Sequence, residues 1–231
     1  GVKSPDQQAT MMLHRVRKIL TRRRTQISNA LRAHMAEFGI AAAVGRGGLD
    51  RLIAVIADQD DARLPDEARA CLAVLCTQLE MVKDQILDND RRILADARKT
   101  EAGRRLMKIP GIGPLLASAI VACVPDPATF SNGRSLSAWI GLTPRQNSSG
   151  GKERLGSITK AGNTYLRELL VVGAMAVVRR AMQGSAKRPW MTQLLARKKP
   201  KVAAVALANK NARIIWAMMA TGEPYRELAA A

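Results

Sequence analysis

The chain contains few cysteine, histidine and aromatic residues, and each scarcity excludes a class of function. Its three cysteines are Cys71, Cys76 and Cys123. They form no CxxC motif and no Cys/His group with metal-ligand spacing, so a zinc site is not indicated. Their odd number fits a reduced compartment. The only two histidines, His14 and His34, lie far in sequence from the serine-rich loop near residue 150, so a Ser-His-Asp triad is not supported. Aromatic residues make up 3% of the chain, too few for a surface that stacks a run of single-stranded bases.

Long apolar runs are also absent. No run reaches 18 apolar residues, and the segment LLVVGAMAVV at 169–178 is too short to span a bilayer. No signal peptide or P-loop motif is visible. We therefore expect a cytoplasmic, nucleoid-associated protein with no membrane partner and no nucleotide cofactor.

Acidic residues become scarce in the second half of the sequence. The net charge is +18, and residues 101–231 hold 20 Lys/Arg against 6 Asp/Glu. Such a balance is typical of proteins that bind a polyanion, and double-stranded DNA is the first candidate. Ribosomal proteins share this charge profile, so an RNA-binding or ribosome-associated protein is a weaker alternative.

Apolar residues recur at helical spacing along most of the chain, which predicts an all-α fold. Three parts are expected: a basic helical segment at 1–60, a coiled-coil helix at 61–102 and a compact helical domain at 103–231. Helices are predicted at 6–38, 49–57, 65–100, 114–124, 132–140, 162–182, 188–196 and 201–220, and no strand is predicted.

The helix predicted at 65–100 carries a heptad seam. Apolar residues and one asparagine alternate at steps of three and four: Leu72, Leu75, Leu79, Val82, Ile86, Asn89 and Ile93. This pattern favours pairing with another helix, within the chain or in a dimer or tetramer, and a polar residue on a seam can fix register. The alternative is an amphipathic helix packed inside one subunit.

The segment LMKIPGIGPLLASAIVACV at 106–124 resembles a helix-hairpin-helix unit. Gly111 and Gly113 would allow a tight turn, and the helix that follows would direct its N–H groups at a DNA phosphate. Such a contact positions a duplex without reading its sequence. The alternative is an ordinary helix–helix turn in the core.

The loop LTPRQNSSGGKERLGSITKAG at 142–162 is the candidate for chemistry on DNA. Two serines, Ser148 and Ser149, lie among basic residues that could neutralise a phosphate: Arg145, Lys152, Arg154 and Lys160. A serine hydroxyl needs such charge, and loss of its proton, to attack phosphorus. By itself the loop is more typical of a solvated turn.

The PGIG turn, followed by GRSLSAWIGLTPRQNSSGGKERLGSITKAGNTYLRELLV at 133–171, resembles the C-terminal serine domain of bridge-RNA-guided insertion-sequence transposases. The resemblance covers roughly residues 65–225. It implies an RNA-guided recombinase that forms a covalent phosphoserine link to DNA. The matching nucleophile would be Ser149, with its neighbour Ser148 as the second candidate.

The same resemblance implies parts that this chain does not carry. Members of that family have a RuvC-like domain with four acidic ligands for Mg²⁺, which should precede residue 1, and a guide (bridge) RNA. We therefore expect no cofactor bound by this chain and no recombination by the chain alone. The alternative function is a non-catalytic, architectural DNA-binding protein that uses the helix-hairpin-helix unit.

Overall fold

The computed structural model describes residues 3–147, 151, 154–184 and 189–226, and it confirms the all-α prediction. Within these ranges the helices are α1 Pro5–Glu37, α2 Arg46–Ala57, α3 Asp66–Lys99, α4 Glu101–Leu106, α5 Pro114–Cys123, α6 Gly133–Ile140, α7 Thr164–Met182, α8 Pro189–Arg197 and α9 Pro200–Thr221. A short 3₁₀ helix, Pro127–Thr129, precedes α6.

Helix α4 is the helix that sequence periodicity did not predict. Thr100 caps it, since its hydroxyl accepts a hydrogen bond from the Gly103 amide at 3.0 Å. Six residues are too few to show a repeating apolar face, so the pattern gave no signal there. The eight helices that the sequence did predict begin and end within about three residues of their observed limits. Assignments of helix boundaries commonly differ by one or two residues.

Two strands that the sequence did not predict form an antiparallel ribbon, β1 Pro144–Gln146 and β2 Leu155–Ile158. Pro144 lies opposite Ile158 and Gln146 opposite Leu155, with an irregularity between the two pairs. Six of the seven strand residues are exposed. Because neither face is buried, the sequence shows no apolar alternation, which is the signal that reveals a strand.

The chain divides into two compact units, Met12–Arg92 and Gly1–Met11 with Ile93–Ala231. We call them the N-terminal unit and the C-terminal unit. The predicted boundaries at residues 60 and 102 stay predictions.

In the N-terminal unit the heptad seam of α3 packs within the same chain. Leu72, Leu79 and Ile86 are buried in one apolar cluster with Leu31 and Met35 of α1. The pairing that the seam predicts is therefore made inside the subunit.

Asn89, the polar seam residue, is 7% exposed, and its Oδ1 accepts no hydrogen bond within the described residues.

A buried arginine joins the other elements of the N-terminal unit. Arg69 of α3 is 5% exposed. Its guanidinium donates hydrogen bonds to five backbone carbonyls in the last turn of α2 and in the connection to α3: Val55, Ile56, Asp58, Asp61 and Leu64. Two of these distances are 2.9 Å to Val55 O and 2.6 Å to Asp61 O. Carbonyls at a helix C-terminus lack intrahelical partners, so this side chain satisfies the end of α2 and the turn that follows.

In the C-terminal unit α9 lies at the centre, packed against α4, α6, α7, α8 and the 3₁₀ helix. Small residues make this close packing possible, and Ala203, Ala204, Ala208 and Ala212 are completely buried. Helix α5 packs on α4 and α7. No helix among the described residues is long and apolar enough to cross a membrane.

Candidate functional site

The ribbon of β1 and β2 carries two of the predicted phosphate-binding residues. Arg145 lies in β1 and Arg154 directly before β2, and both are exposed. The backbone N–H of Asn147 donates to the Arg154 carbonyl at 2.9 Å. This hydrogen bond joins the chain segments that precede residue 148 and follow residue 153. Ser148, Ser149 and Lys152, which the sequence analysis selected, lie outside the described residues.

Two glycines fit closely at the base of the ribbon. Gly162 has φ 69°, and a Cβ there would lie 1.8 Å from the Trp139 carbonyl oxygen. Gly141 has φ 79°, and its Cβ would lie 2.2 Å from the Ala161 carbonyl oxygen. Both positions require the left-handed conformation and allow no side chain, so the ribbon leaves α6 and reaches α7 through closely packed backbone.

Arg167 of α7 holds these two segments together. Its Nη1 donates to the Ile140 carbonyl at 2.7 Å and to the Ala161 carbonyl at 2.8 Å. Sequence reasoning did not select this residue, because nothing in its local pattern separates an arginine that binds carbonyls from one that binds phosphate. The Asn209 amide of α9 adds a hydrogen bond to the Leu142 carbonyl at 3.1 Å. The base of the ribbon is thus fixed to three helices.

A cavity of about 1060 Å³ opens at the foot of the ribbon, between it and α6, α8 and α9. Its apolar wall includes Leu142, Ile158, Val202, Val205 and Ala206, and the indole of Trp190 also lines it. Lys160, predicted to bind phosphate, lines the same cavity, from a left-handed backbone position with φ 58°.

We call this opening the ribbon cavity. Among the described residues no acidic side chain lines it, whereas four cationic side chains do: Arg134, Lys160, Lys201 and Arg213. None of the four forms an ion pair within the described part of the chain. Cations gathered without counter-charges attract an anion to the site.

A smaller cavity, of about 400 Å³, shares Arg134 and Arg213 with the ribbon cavity. Trp216 forms part of its wall and is fixed by hydrogen bonds from its indole N–H to the carbonyls of Pro127 at 3.1 Å and Phe130 at 3.2 Å. The two arginines therefore stand between two openings on one face of the C-terminal unit.

The PGIG turn lies elsewhere in the same unit, between α4 and α5. Gly111 has φ 87°, and a Cβ there would lie 2.9 Å from the carbonyl oxygen of Gly173 in α7. The Asn211 amide donates to the Pro110 carbonyl at 3.0 Å. Gly111 therefore has a packing role that is sufficient to require glycine.

Gly113 has different surroundings from Gly111. It is exposed and caps α5 in an extended conformation with φ −90°, and no atom lies within 4 Å of a Cβ built there. Within the described chain, packing does not require glycine at this position. The prediction that Gly113 approaches a DNA backbone stays open on this geometry.

Two side chains of the N-terminal unit, Asp61 and Cys76, have shifted pKa values. The Arg63 side chain, hydrogen-bonded to Asp61, lowers the pKa of that carboxyl group from 3.8 to about 2. Burial raises the pKa of the Cys76 thiol. Among the described residues no three His, Cys, Asp or Glu side chains gather as a group that could hold a metal ion such as Mg²⁺.

Comparison with known proteins identifies the family. A family model described as "Transposase IS116/IS110/IS902 family" matches residues 103–191, which include the PGIG turn, the ribbon and α7. A probable family 20 transposase of Pseudomonas aeruginosa is 44% identical over 227 residues, which cover 97% of this chain and 67% of that protein.

Two further relatives carry similar names. A putative transposase of Sinorhizobium fredii is 43% identical over 98% of this chain and 58% of its own length. The transposase for insertion sequence element IS1111A of Coxiella burnetii is 37% identical over 97% of this chain and 62% of its own length. The chain thus spans about three-fifths to two-thirds of these curated relatives, and by this identity and coverage it belongs to the IS116/IS110/IS902 family of transposases.

Proposed function

We propose that this chain is the part of an insertion-sequence transposase that holds DNA and supplies its serine nucleophile, Ser149. Membership of the transposase family is the observation that carries this proposal, because the family match at 103–191 includes the loop at 142–162 with Ser148 and Ser149. The DNA substrate, the covalent step and the guide RNA are all part of the proposal.

The described geometry supports this role through the ribbon. Its base is fixed by Arg167, Gly141 and Gly162, so the segment between Asn147 and Arg154 begins and ends at defined positions. A nucleophile needs such a rigid base, since small displacements cost large factors in rate.

The proposed reaction is a transesterification. The Ser149 hydroxyl loses its proton and its oxygen bonds to phosphorus. The bond from phosphorus to one deoxyribose oxygen breaks, and that oxygen takes up a proton as it leaves. One phosphodiester is exchanged for another, so rejoining needs no ATP. Arg145, Lys152 and Arg154 are proposed to stabilise the charge that develops on the phosphoryl oxygens, where an arginine can bind two oxygens at once.

DNA binding is proposed to use two surfaces of the C-terminal unit. The first is the cationic rim of the ribbon cavity with Lys160, and the second is the turn at Gly113, in front of the N-terminus of α5. Gly111 supports that turn from the inside. Both contacts are made to the backbone, so they would position DNA without selecting a sequence.

The remaining partners are proposals about the intact protein. A guide RNA, and Mg²⁺ held in a RuvC-like domain, follow from the resemblance. A dimer or tetramer through residues 65–100 would use the outer face of α3, where Val74, Met81 and Leu87 are exposed, because the heptad seam is already packed. Sedimentation equilibrium measures this oligomeric state.

The test of the nucleophile is covalent trapping in the intact transposase. Native protein, Ser149→Ala and Ser148→Ala are incubated with cognate DNA, guide RNA and Mg²⁺, and adducts that survive denaturation in detergent are counted on a gel. Ser149→Ala should abolish the adduct and leave non-covalent DNA binding intact, whereas the neighbouring Ser148→Ala should retain the adduct.

Two other outcomes of the trapping experiment would change the proposal. Loss of the adduct in Ser148→Ala alone would make Ser148 the nucleophile. No adduct from the native protein, with DNA binding retained, would favour the non-catalytic, architectural alternative.

A further inference from the structure

We propose that the ribbon cavity binds one unpaired base of the DNA strand, together with its flanking phosphates. The proposal rests on the proposed function for its DNA partner, but it does not depend on Ser149 or on covalent chemistry. The cavity lies at the foot of the ribbon, whose two strands flank Ser148 and Ser149 in the sequence. It would therefore hold a nucleotide near the point of strand exchange.

The lining of the ribbon cavity suits a planar, mainly apolar group. Its volume of about 1060 Å³ lies just above the range of small-molecule pockets, about 300–1,000 Å³, so a base can enter together with its sugar and flanking phosphates. The wall combines aliphatic side chains from the ribbon and α9 with one aromatic ring: Leu142, Ile158, Val202, Val205, Ala206 and Trp190. A base in water exposes two apolar faces, and such a wall would cover them.

Trp190 is placed to contact a base. Its indole lines the cavity and is 37% exposed, and the Lys210 ammonium lies 4.5 Å from the ring centroid. This cation–π contact holds the ring in place while part of it stays accessible. The chain has too few aromatic residues to stack a run of bases, but one ring is enough for one base.

The charges on the rim identify the rest of the occupant. Arg134, Lys160, Lys201 and Arg213 line the cavity without a described acidic neighbour. An uncharged apolar ligand would gain nothing from four cations. A base joined to phosphates on both sides combines the apolar and anionic groups that this lining favours.

A buried hydroxyl in the wall of the cavity lacks a hydrogen-bond partner. Ser137 of α6 lines the cavity and is 1% exposed, yet its Oγ has no hydrogen-bond partner within the described residues. Buried polar groups without partners are uncommon and need an explanation. Once the Ser137 hydroxyl turns towards the cavity, the polar edge of a base there would supply the missing partner.

An extruded base would assist strand exchange. Unstacking a base costs a few kcal/mol, and least where the base is already unpaired. A pocket that offsets this cost would hold the duplex open beside the phosphate to be attacked. Preference for an unpaired base is therefore the property to measure.

The experiment uses the 231-residue chain and two fluorescein-labelled DNA duplexes of equal length, one fully paired and one with a single unpaired adenine at its centre. Fluorescence anisotropy measures both affinities. We expect about tenfold tighter binding to the duplex with the unpaired base, the value of one stacked base. Ala206→Trp, which places an indole ring inside the cavity, should abolish this preference and change binding to the paired duplex by less than about twofold.

Matched variants separate the cavity from general effects. Ala176→Trp adds the same ring at an exposed position of α7 and should keep the preference. Val202→Glu places a negative charge at the cavity mouth, where Val202 is 51% exposed, and should abolish the preference without disturbing the core. Its control is Val172→Glu, at a 63% exposed position of α7, which should behave like the native chain.

Several results would overturn the assignment. Equal affinity of the native chain for both duplexes would do so, as would a preference that survives Val202→Glu. Tighter binding of the same strand made as RNA would reassign the pocket to RNA. The two proposals can fail separately. If the chain prefers the unpaired base but the intact transposase forms no serine adduct, the base-binding site stands and the proposed covalent chemistry is wrong.

Discussion

Arginines from the two units of the chain illustrate two uses of the guanidinium group. In the N-terminal unit Arg17 bonds to the Asp90 carboxylate at 2.5 Å, Arg32 donates to the Ala43 carbonyl at 3.1 Å, and Arg69 donates to five carbonyls. In the C-terminal unit Arg134 and Arg213 line a cavity and form no ion pair within the described residues.

This difference shows that the number of basic residues alone does not identify a binding surface. An arginine whose donors already bind protein oxygens has little capacity left for a phosphate. Arg167 shows that the C-terminal unit also contains arginines of this kind. The informative quantity is the set of cations left without partners, and four cations that form no ion pair within the described residues line the ribbon cavity.

The largest effect is expected where a buried arginine supports the N-terminal unit. Arg69→Ala leaves several buried carbonyls without a donor and should lower the free energy of unfolding by about 3 kcal/mol, or prevent this unit from folding. Arg92→Ala removes an exposed i,i+4 partner of Asp88 at 2.9 Å and should cost about 0.5 kcal/mol. Urea unfolding followed by circular dichroism measures both. Equal effects of the two variants would contradict a structural role for Arg69.

A smaller effect is expected at the close contact between the PGIG turn and α7. A Cβ at Gly173 would lie 2.0 Å from the Gly111 carbonyl oxygen, so Gly173→Ala should lower stability by about 2 kcal/mol.

Gly113→Ala is the matched control, because its Cβ would meet no atom within 4 Å. It should lower the free energy of unfolding by no more than about 1 kcal/mol, the cost of alanine at an N-cap position. Equal destabilisation by both alanines would show that the packing account of this turn is wrong. Weaker DNA binding by a stable Gly113→Ala variant would support the proposed backbone contact there.

The smallest effect concerns DNA binding and compares the two units directly. Arg213→Gln removes a cavity cation and should lower the slope of log affinity against log salt by about 1, the share of one phosphate contact. Arg17→Gln removes an arginine that already binds Asp90 and should leave that slope unchanged. Titrations of a fully paired duplex at several salt concentrations give both slopes, and the reverse order would remove the distinction between the units.

Much of the fold could be predicted because its long helices bury one continuous face. The seam from Leu72 to Ile93 and the apolar stripe of α1 are regular enough to locate both helices within a few residues. The ribbon and α4 escaped prediction for opposite reasons. The ribbon buries no face, and α4 is shorter than two turns, so periodicity has nothing to detect in either.

The candidate site divides in the same way. Sequence patterns selected Arg145, Arg154 and Lys160, since they lie close together along the chain. The ribbon cavity could not be predicted, because its walls come from segments between residues 134 and 213 that only folding brings together.

The amino-acid sequence by itself determined the helical architecture, the cationic second half and the family, because all three depend on residues close together along the chain. Only the tertiary structure decided which cations bind the protein's own carbonyls and carboxylates and which line an opening. That choice depends on which distant segments meet in space, and a charge has the same appearance in the sequence whether or not folding gives it a partner.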